Sequence, residues 1–319
     1  MASIIKKIAS SFSYGTVPDE KNIQFLGQFD IQGDTLNGLV LNGSYIPQEI
    51  LITIFTYLTP SDILQCSLVC KNWHNIGKSN ALWHDIYNNK EYPKKAKKLP
   101  WYVFYCFYAT DNFKNLIKNG NGQEGFDHWY IAANEGDKFI VENVPCGSCP
   151  LPEEPEFFGY TSCFASSYGK CAKYQEIDLK PKRLLRYIIV KYKPTLFASE
   201  WFAGRFDCAS SYQLTISCTV AGNDWKPHDF RYRVQGTIVN RRSPDYFVET
   251  SGLIEQWANK PWQKKELYLS DYPLDIMRIH FCHEGQDRQF WKGHYGSKMA
   301  GGVLKFLLDS IEPISENIH

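Results

Sequence analysis

The chain has 319 residues, 44% hydrophobic and 15% aromatic, enough apolar material for two or three packed domains. Thirty-five basic residues stand against 34 acidic ones, and a formal charge of +1 gives no broad pull toward nucleic acid or an anionic membrane. No apolar run approaches the roughly twenty residues of a membrane span, and the opening MASIIKKIAS has too short an apolar core for a secretory signal. A cytosolic chain is expected, and its ten cysteines then read as mostly buried thiols, not a disulfide framework.

Residues 1–44 mix Ser, Gly, Asn and Asp with short apolar patches and read as an N-terminal extension, part of it disordered and part packed as an extended segment. Residues 45–88 are more regular. Pro47 suits the first position of a helix, having no N–H to leave unpaired, and Ile50, Ile54, Phe55 and Leu58 share one helical face. Thr59-Pro60 ends that helix. Ser61 or Asp62 caps a second one carrying Ile63, Leu64, Leu68 and Val69. Lys71, Asn72, Trp73 and Ile76 suggest a third, with Leu82 and Trp83 closing the unit. Three short helices cannot bury all this apolar surface alone, so part of it should face a partner or a neighbouring domain.

Residues 89–115 begin with a solvated basic cluster, Lys94, Lys95, Lys97 and Lys98. A connecting helix follows, with an expected core stripe of Trp101, Phe104, Tyr105 and Tyr108. After residue 120 the pattern turns to short β-rich runs between turn residues: 138–142, 187–192, 212–220, 230–239, 265–269, 276–281 and 302–307. Seven such runs with no helical stretch between them predict an antiparallel sandwich over 116–309, followed by a tail at 310–319.

Two stretches stand apart. Val144–Glu156 contains Cys146-Gly-Ser-Cys149, spaced like half of a zinc site, with Cys163 and Cys171 as the remaining thiols to be considered. The latter two are not spaced as a pair, so an exposed Pro-rich acidic loop without metal is expected. In His283–Gly296, strand geometry would send Phe290 and Trp291 to opposite faces, whereas a loop would expose both. The chain shows no nucleophile elbow, metal-binding helix motif, phosphate-cradling Gly loop or carboxylate pair spaced for glycoside hydrolysis, and no cofactor is expected.

The residues Ile46-Pro47, Glu49-Ile50, Phe55, Leu58, Asp62-Ile63, Val69-Cys70-Lys71, Trp73 and Leu82-Trp83 resemble an F-box. The resemblance implies docking to the Skp1 adaptor of a cullin–RING ubiquitin ligase through Ile46, Pro47, Ile50, Ile54, Leu58 and Leu68. From Asn115 to Leu308 the chain resembles the F-box-associated domain of the F-box proteins that recognise N-linked glycans. The shared residues include Glu124-Gly-Phe, Trp129, Ser167-Tyr168, Trp201–Asp207, Tyr212–Thr215, Gly285–Asp287 and Phe290–Gly293. That family implies an α+β multidomain chain: a three-helix F-box, a helical linker and a jelly-roll, galactose-binding-like β-sandwich. It also implies a non-catalytic receptor that delivers N-glycosylated proteins for ubiquitination, notably misfolded ones exported from the endoplasmic reticulum. The sugar would lie at one sandwich end between Arg205, Phe206, Asp207 and Phe290, Trp291, Lys292. Phe290 stands where sugar-binding relatives have tyrosine, and Phe206 where they have a small polar residue. Recognition of a protein surface on the same scaffold and an uncharacterised glycoside hydrolase are the alternatives.

Overall fold

The computed structural model describes residues 37–41, 44–88, 99–227, 244–257 and 261–311. The extension before residue 37, the lysine cluster at 94–98, the strand expected at 230–239 and the tail from 312 lie outside the described residues. The chain divides into two compact units. One holds the described residues up to Asp111, Tyr187–Tyr192 and those from Leu308; the other holds Asn112–Arg186 and Lys193–Leu307.

In the first unit a small hairpin, β1 (Val40–Leu41) and β2 (Ser44–Tyr45), precedes α1 (Gln48–Thr56), α2 (Pro60–Cys66), α3 (Lys71–Gly77), α4 (Asn80–Asn88) and α5 (Trp101–Ala109). Pro47 is the extended N-cap of α1 and not its first helical residue. The cap of α2 is Thr59, not Ser61 or Asp62: its Oγ1 accepts the Asp62 N–H at 3.2 Å. Pro60 explains this, because it forces Thr59 out of helical geometry while itself fitting the first turn. A fourth helix, α4, replaces the expected closing segment, since Leu82, Trp83 and Ile86 bury at helical spacing.

α1 has two apolar faces where one was expected. Leu51 and Phe55 are buried, the Phe55 ring edge-on to Trp73 at 5.5 Å, while Ile50 and Ile54 stay exposed. Trp73 Nε1 donates to Gly38 O at 2.7 Å, and Trp83 Nε1 to Gly77 O at 2.7 Å, so both indoles tie loops to the helical core. On α5 the buried residues are Tyr102, Val103, Phe104 and Cys106; of the expected stripe only Phe104 is fully inside.

The second unit is a sandwich of two five-stranded antiparallel sheets. Its strands are β3 (Tyr130–Asn134), β4 (Ile140–Glu142), β5 (Cys163–Ala165), β6 (Cys171–Asp178), β7 (Leu196–Ala203), β8 (Ser210–Val220), β9 (Tyr246–Ile254), β10 (Gln263–Leu269), β11 (Ile276–Asp287) and β12 (Lys298–Phe306). One sheet runs β10-β7-β12-β5-β4, the other β3-β6-β11-β8-β9. The expected strand at 187–192 is instead helical, within α6 (Arg183–Tyr192). Its Ile-Ile-Val run is β-branched, but Leu185, Ile188 and Ile189 bury at three-to-four spacing, and Lys193, with φ of 45°, and Pro194 end the helix. β6 and β7 escaped the pattern because they are buried on both faces and show no alternation. β9 turns Phe247 and Leu253 outward and Gly252 inward, against any hydrophobic reading.

Charge sits at the centre of this sandwich. Glu200 of β7 is fully buried and accepts from Tyr212 Oη at 2.7 Å and from His283 Nδ1 at 2.6 Å, which ties β7 to β8 and β11 of the other sheet. Trp129 stacks on the His283 ring at 4.9 Å, and the buried Lys173 ammonium lies 3.1 Å from the Trp129 ring centroid and 3.2 Å from that of Phe164. Burial lowers His283 to about 4 despite the pull of Glu200, and holds Lys173 well below the ordinary lysine range.

A group whose folded pKa is depressed binds fewer protons folded than unfolded, so stability is present above its unfolded pKa and lost as pH falls toward the folded one. For His283 that window runs from 6.5 down to about 4. Between pH 7 and pH 4 this histidine should remove about 3 kcal/mol of unfolding free energy, at roughly 1.4 kcal/mol per pKa unit. Urea denaturation across that range checks it; His283→Gln should flatten the slope, and an unchanged slope would refute the assignment.

Candidate functional site

β7 passes to β8 through residues 204–209, and β11 to β12 through 288–297. The register sets Asp287 opposite Ser210 and Lys298 opposite Ala203, so both connections leave the same end of the sandwich. These are the two loops that carry Arg205, Phe206, Asp207 and Phe290, Trp291, Lys292.

Arg205 and Asp207 bind each other through two bonds, Nε to Oδ1 at 3.0 Å and Nη2 to Oδ2 at 3.1 Å. The Asp207 bond raises the Arg205 pKa further, and the guanidinium holds Asp207 below its usual value. The guanidinium carbon lies 4.4 Å from the Tyr295 ring centroid, and Tyr295 meets Trp291 edge-on at 5.7 Å. Tyr295 therefore joins the two loops, a role the sequence left unassigned although the residue lies within the 283–296 stretch. It is an ordinary aromatic until the loops converge on it.

Phe290, Trp291 and Lys292 are exposed, as a loop requires. Phe290 adopts φ of 57°, a left-handed backbone uncommon outside glycine, and is 70% exposed. Its N–H donates to Oδ1 of the buried Asp287 at 2.5 Å, which pins this conformation from beneath. Trp291 is 40% exposed. Phe206 is 46% exposed and lies 6.3 Å from Trp257, itself exposed at φ of 62° in the β9–β10 loop. Gln256 Nε2 donates to Asp207 O at 3.1 Å and fixes that loop to the site. Trp257 is a further aromatic that motif matching did not supply.

The Pro-rich segment expected to be an exposed loop is only partly so. Phe157 is buried against Cys163, Ala203, Trp262 and Ala300, with Cys149, Leu151 and Trp201 packed on that cluster. Glu153 and Glu154 remain exposed. Gly147, Ser148, Cys149 and Phe206 line an open depression of about 430 Å³ beside the 204–209 loop. Cys146 faces Arg205, Cys163 lies near Glu142, and Cys171 points at Glu135 O; among the described residues no three His, Cys, Asp or Glu side chains are grouped as metal ligands.

On the helical unit Ile50 is 52% exposed, Ile54 45% and Leu68 49%, with Tyr57, Leu64 and Val69 also exposed. Pro47 is exposed, whereas Ile46 and Leu58 are half-buried. Ile50, Ile54 and Tyr57 follow helical spacing, so α1 presents an apolar stripe that is exposed among the described residues. Among the described residues no helix is long and apolar enough to cross a membrane.

Residues 107–305 match the family described as "FBA: F-box associated region", and residues 44–89 match "F-box-like". The chain belongs to the F-box associated family and carries an F-box-like segment ahead of that region. It is 29% identical over 274 residues to F-box only protein 6 of Rattus norvegicus, covering 83% of this chain and 87% of that one. It is 27% identical to F-box only protein 44 of Homo sapiens, covering 82% and 96%. Among solved structures, TmCBM61 in complex with beta-1,4-galactotriose aligns over 61% of this chain and 99% of its own, at 13% identity and a TM-score of 0.34, too loose to bear on a ligand here.

Removing the pin under Phe290 tests the loop geometry. Asp287→Ala should speed amide exchange at Phe290 by roughly tenfold to a hundredfold, matching the ~1.5–3 kcal/mol contributed by a hydrogen bond to a charged group. Exchange unchanged at that amide would show that the turn holds itself.

Proposed function

We propose that this chain is the substrate-recognition subunit of a Skp1–cullin–F-box ubiquitin ligase, with residues 45–88 docking the adaptor and 116–309 selecting the cargo. The cargo is the chitobiose core of N-linked high-mannose glycoproteins, presented in the cytoplasm for ubiquitination in endoplasmic-reticulum-associated degradation. The chain itself contributes no catalytic residue; the transfer chemistry belongs to the other subunits.

The observation that carries the reading is the Trp291–Tyr295–Arg205 contact, which brings the two loops onto one surface. An indole face covers the apolar C–H side of an N-acetylglucosamine ring. Lys292 is exposed beside it and donates to hydroxyl or acetamido oxygens. Asp207, oriented by Arg205 and only partly exposed, keeps oxygen lone pairs for sugar hydroxyls. For the adaptor, the support is the exposed apolar stripe with Leu64, Leu68 and Val69 beside it. A second reading, recognition of a protein surface, is favoured by Phe206 and Trp257, two exposed rings 6.3 Å apart beside the same loop.

Trp291→Ala should weaken capture of ribonuclease B, a high-mannose glycoprotein, by about thirtyfold or more, the scale of an aromatic hot spot. Free chitobiose should compete with the wild-type chain. Capture that survives the substitution, chitobiose and deglycosylation of the probe would move the assignment to the protein-surface reading. Ile54→Asp should abolish co-purification with Skp1 while leaving ribonuclease B binding intact; retained Skp1 binding would remove α1 from the docking surface.

A further inference from the structure

Cys146 is exposed, whereas the other nine cysteines are half-buried or buried. Burial pushes Cys163 and Cys218 up to about 12 and Cys208 to about 11, which leaves those thiols protonated and inert. Cys146 sits in a different setting. Arg205 Nη1 donates to its sulfur at 3.2 Å, placing a fixed positive charge beside the atom. Its own N–H is held by Glu142 Oε2 at 2.7 Å, and that carboxylate is in turn bound by Lys298 at 2.6 Å. Three residues on stands Cys149, half-buried, beyond a turn in which Gly147 takes φ of 65°.

Each residue of Cys146-Gly-Ser-Cys149 is bonded to the surroundings of the candidate site. Cys146 takes the Arg205 bond, Gly147 O accepts from Phe206 N at 3.0 Å, Ser148 Oγ donates to Gly204 O at 2.8 Å, and Cys149 O accepts from Trp262 Nε1 at 2.8 Å. A Cβ on Gly147 would lie 3.0 Å from the guanidinium carbon, so the tetrapeptide and Arg205 are in close contact. A metal does not account for the pair, since the third and fourth thiols point elsewhere.

We propose that Cys146 and Cys149 form a reversible dithiol–disulfide site for small-molecule disulfides of the glutathione class, coupled to the adjacent 204–207 loop. The coupling, though not the thiol chemistry, rests on the glycan reading given above. The Cys146 thiol loses its proton to solvent, and the sulfur attacks one sulfur of oxidised glutathione, forming a mixed disulfide and expelling one glutathione thiolate. Cys149, likewise deprotonated, attacks the Cys146 sulfur and expels the second. The protein loses two protons and two electrons, and one oxidised glutathione becomes two reduced ones. In the disulfide the Cys146 sulfur no longer presents a thiol to Arg205, and the Gly147 carbonyl is held by a closed ring instead of by an adaptable turn.

The full chain, reduced and then exposed to oxidised glutathione, is quenched with N-ethylmaleimide and mapped by mass spectrometry. The 146–149 peptide should become two hydrogen atoms lighter before the half-buried Cys66 and Cys70 react. Cys149→Ser should stop at a glutathione adduct on Cys146, and Cys146→Ser should give neither product. A Cys146 that reacts no faster than Cys66 and Cys70 overturns the site. Ribonuclease B binding is read on the same samples: the disulfide form should bind about tenfold more weakly, the scale of one lost bond to a charged group, with recovery in dithiothreitol. Equal binding by both forms overturns the coupling. A disulfide that forms in a chain that binds no ribonuclease B in either state overturns the glycan reading and leaves the dithiol chemistry standing.

Discussion

A buried carboxylate governs how the two sheets of the sandwich meet. Glu200 lies in an apolar interior where an unpaired charge would be ruinous, and its two oxygens are met by Tyr212 and His283 of the opposite sheet. Those three side chains belong to β7, β8 and β11, the strands whose ends launch the two loops of the candidate site. Sliding one sheet over the other by a residue pair would strand the carboxylate, at a cost of about 3–5 kcal/mol for a broken buried pair. The relative placement of the loops is thus inherited from a contact in the middle of the core.

The loops themselves are fixed from below and from the side. Asp287 holds Phe290 in a left-handed backbone, Tyr295 spans from Trp291 to Arg205, and Gln256 ties the Trp257 loop to Asp207. The result is a rigid frame under a set of exposed rings, the arrangement in which aromatic area is available to a ligand at small ordering cost. The helical unit works differently. Its core is made by Leu51, Phe55, Ile63, Ile76, Leu82 and Trp83, and the apolar residues left over, Ile50, Ile54, Leu64 and Leu68, are those its short helices have no interior to hold.

The Pro-rich segment shows how a stretch without helical or strand periodicity can enter a site. Phe157 anchors it to the sheet, and the tetrapeptide Cys146–Cys149 then lies against the 204–207 loop, bonded there mainly through backbone atoms and one guanidinium. Its reach to the loop is a property of packing, since the intervening residues carry no pattern that would foretell it.

The sequence by itself determined the helical character of residues 48–77 and several sandwich strands such as β8 and β11, because local spacing and turn residues suffice for these, whereas the motifs at 205–207 and 290–292 were legible only through resemblance to a family. It misread 187–192, where β-branched residues in a helix look like a strand until the burial of Leu185, Ile188 and Ile189 is known. It missed β6 and β7, whose double burial erases alternation, and it merged the two faces of α1, one of which turns inward to Trp73. Only the tertiary structure decided that Arg205 pairs with Asp207, that Tyr295 links the loops and that Cys146 meets a guanidinium. Those contacts join residues 59 to 90 positions apart or depend on side-chain direction, and neither is encoded in local periodicity.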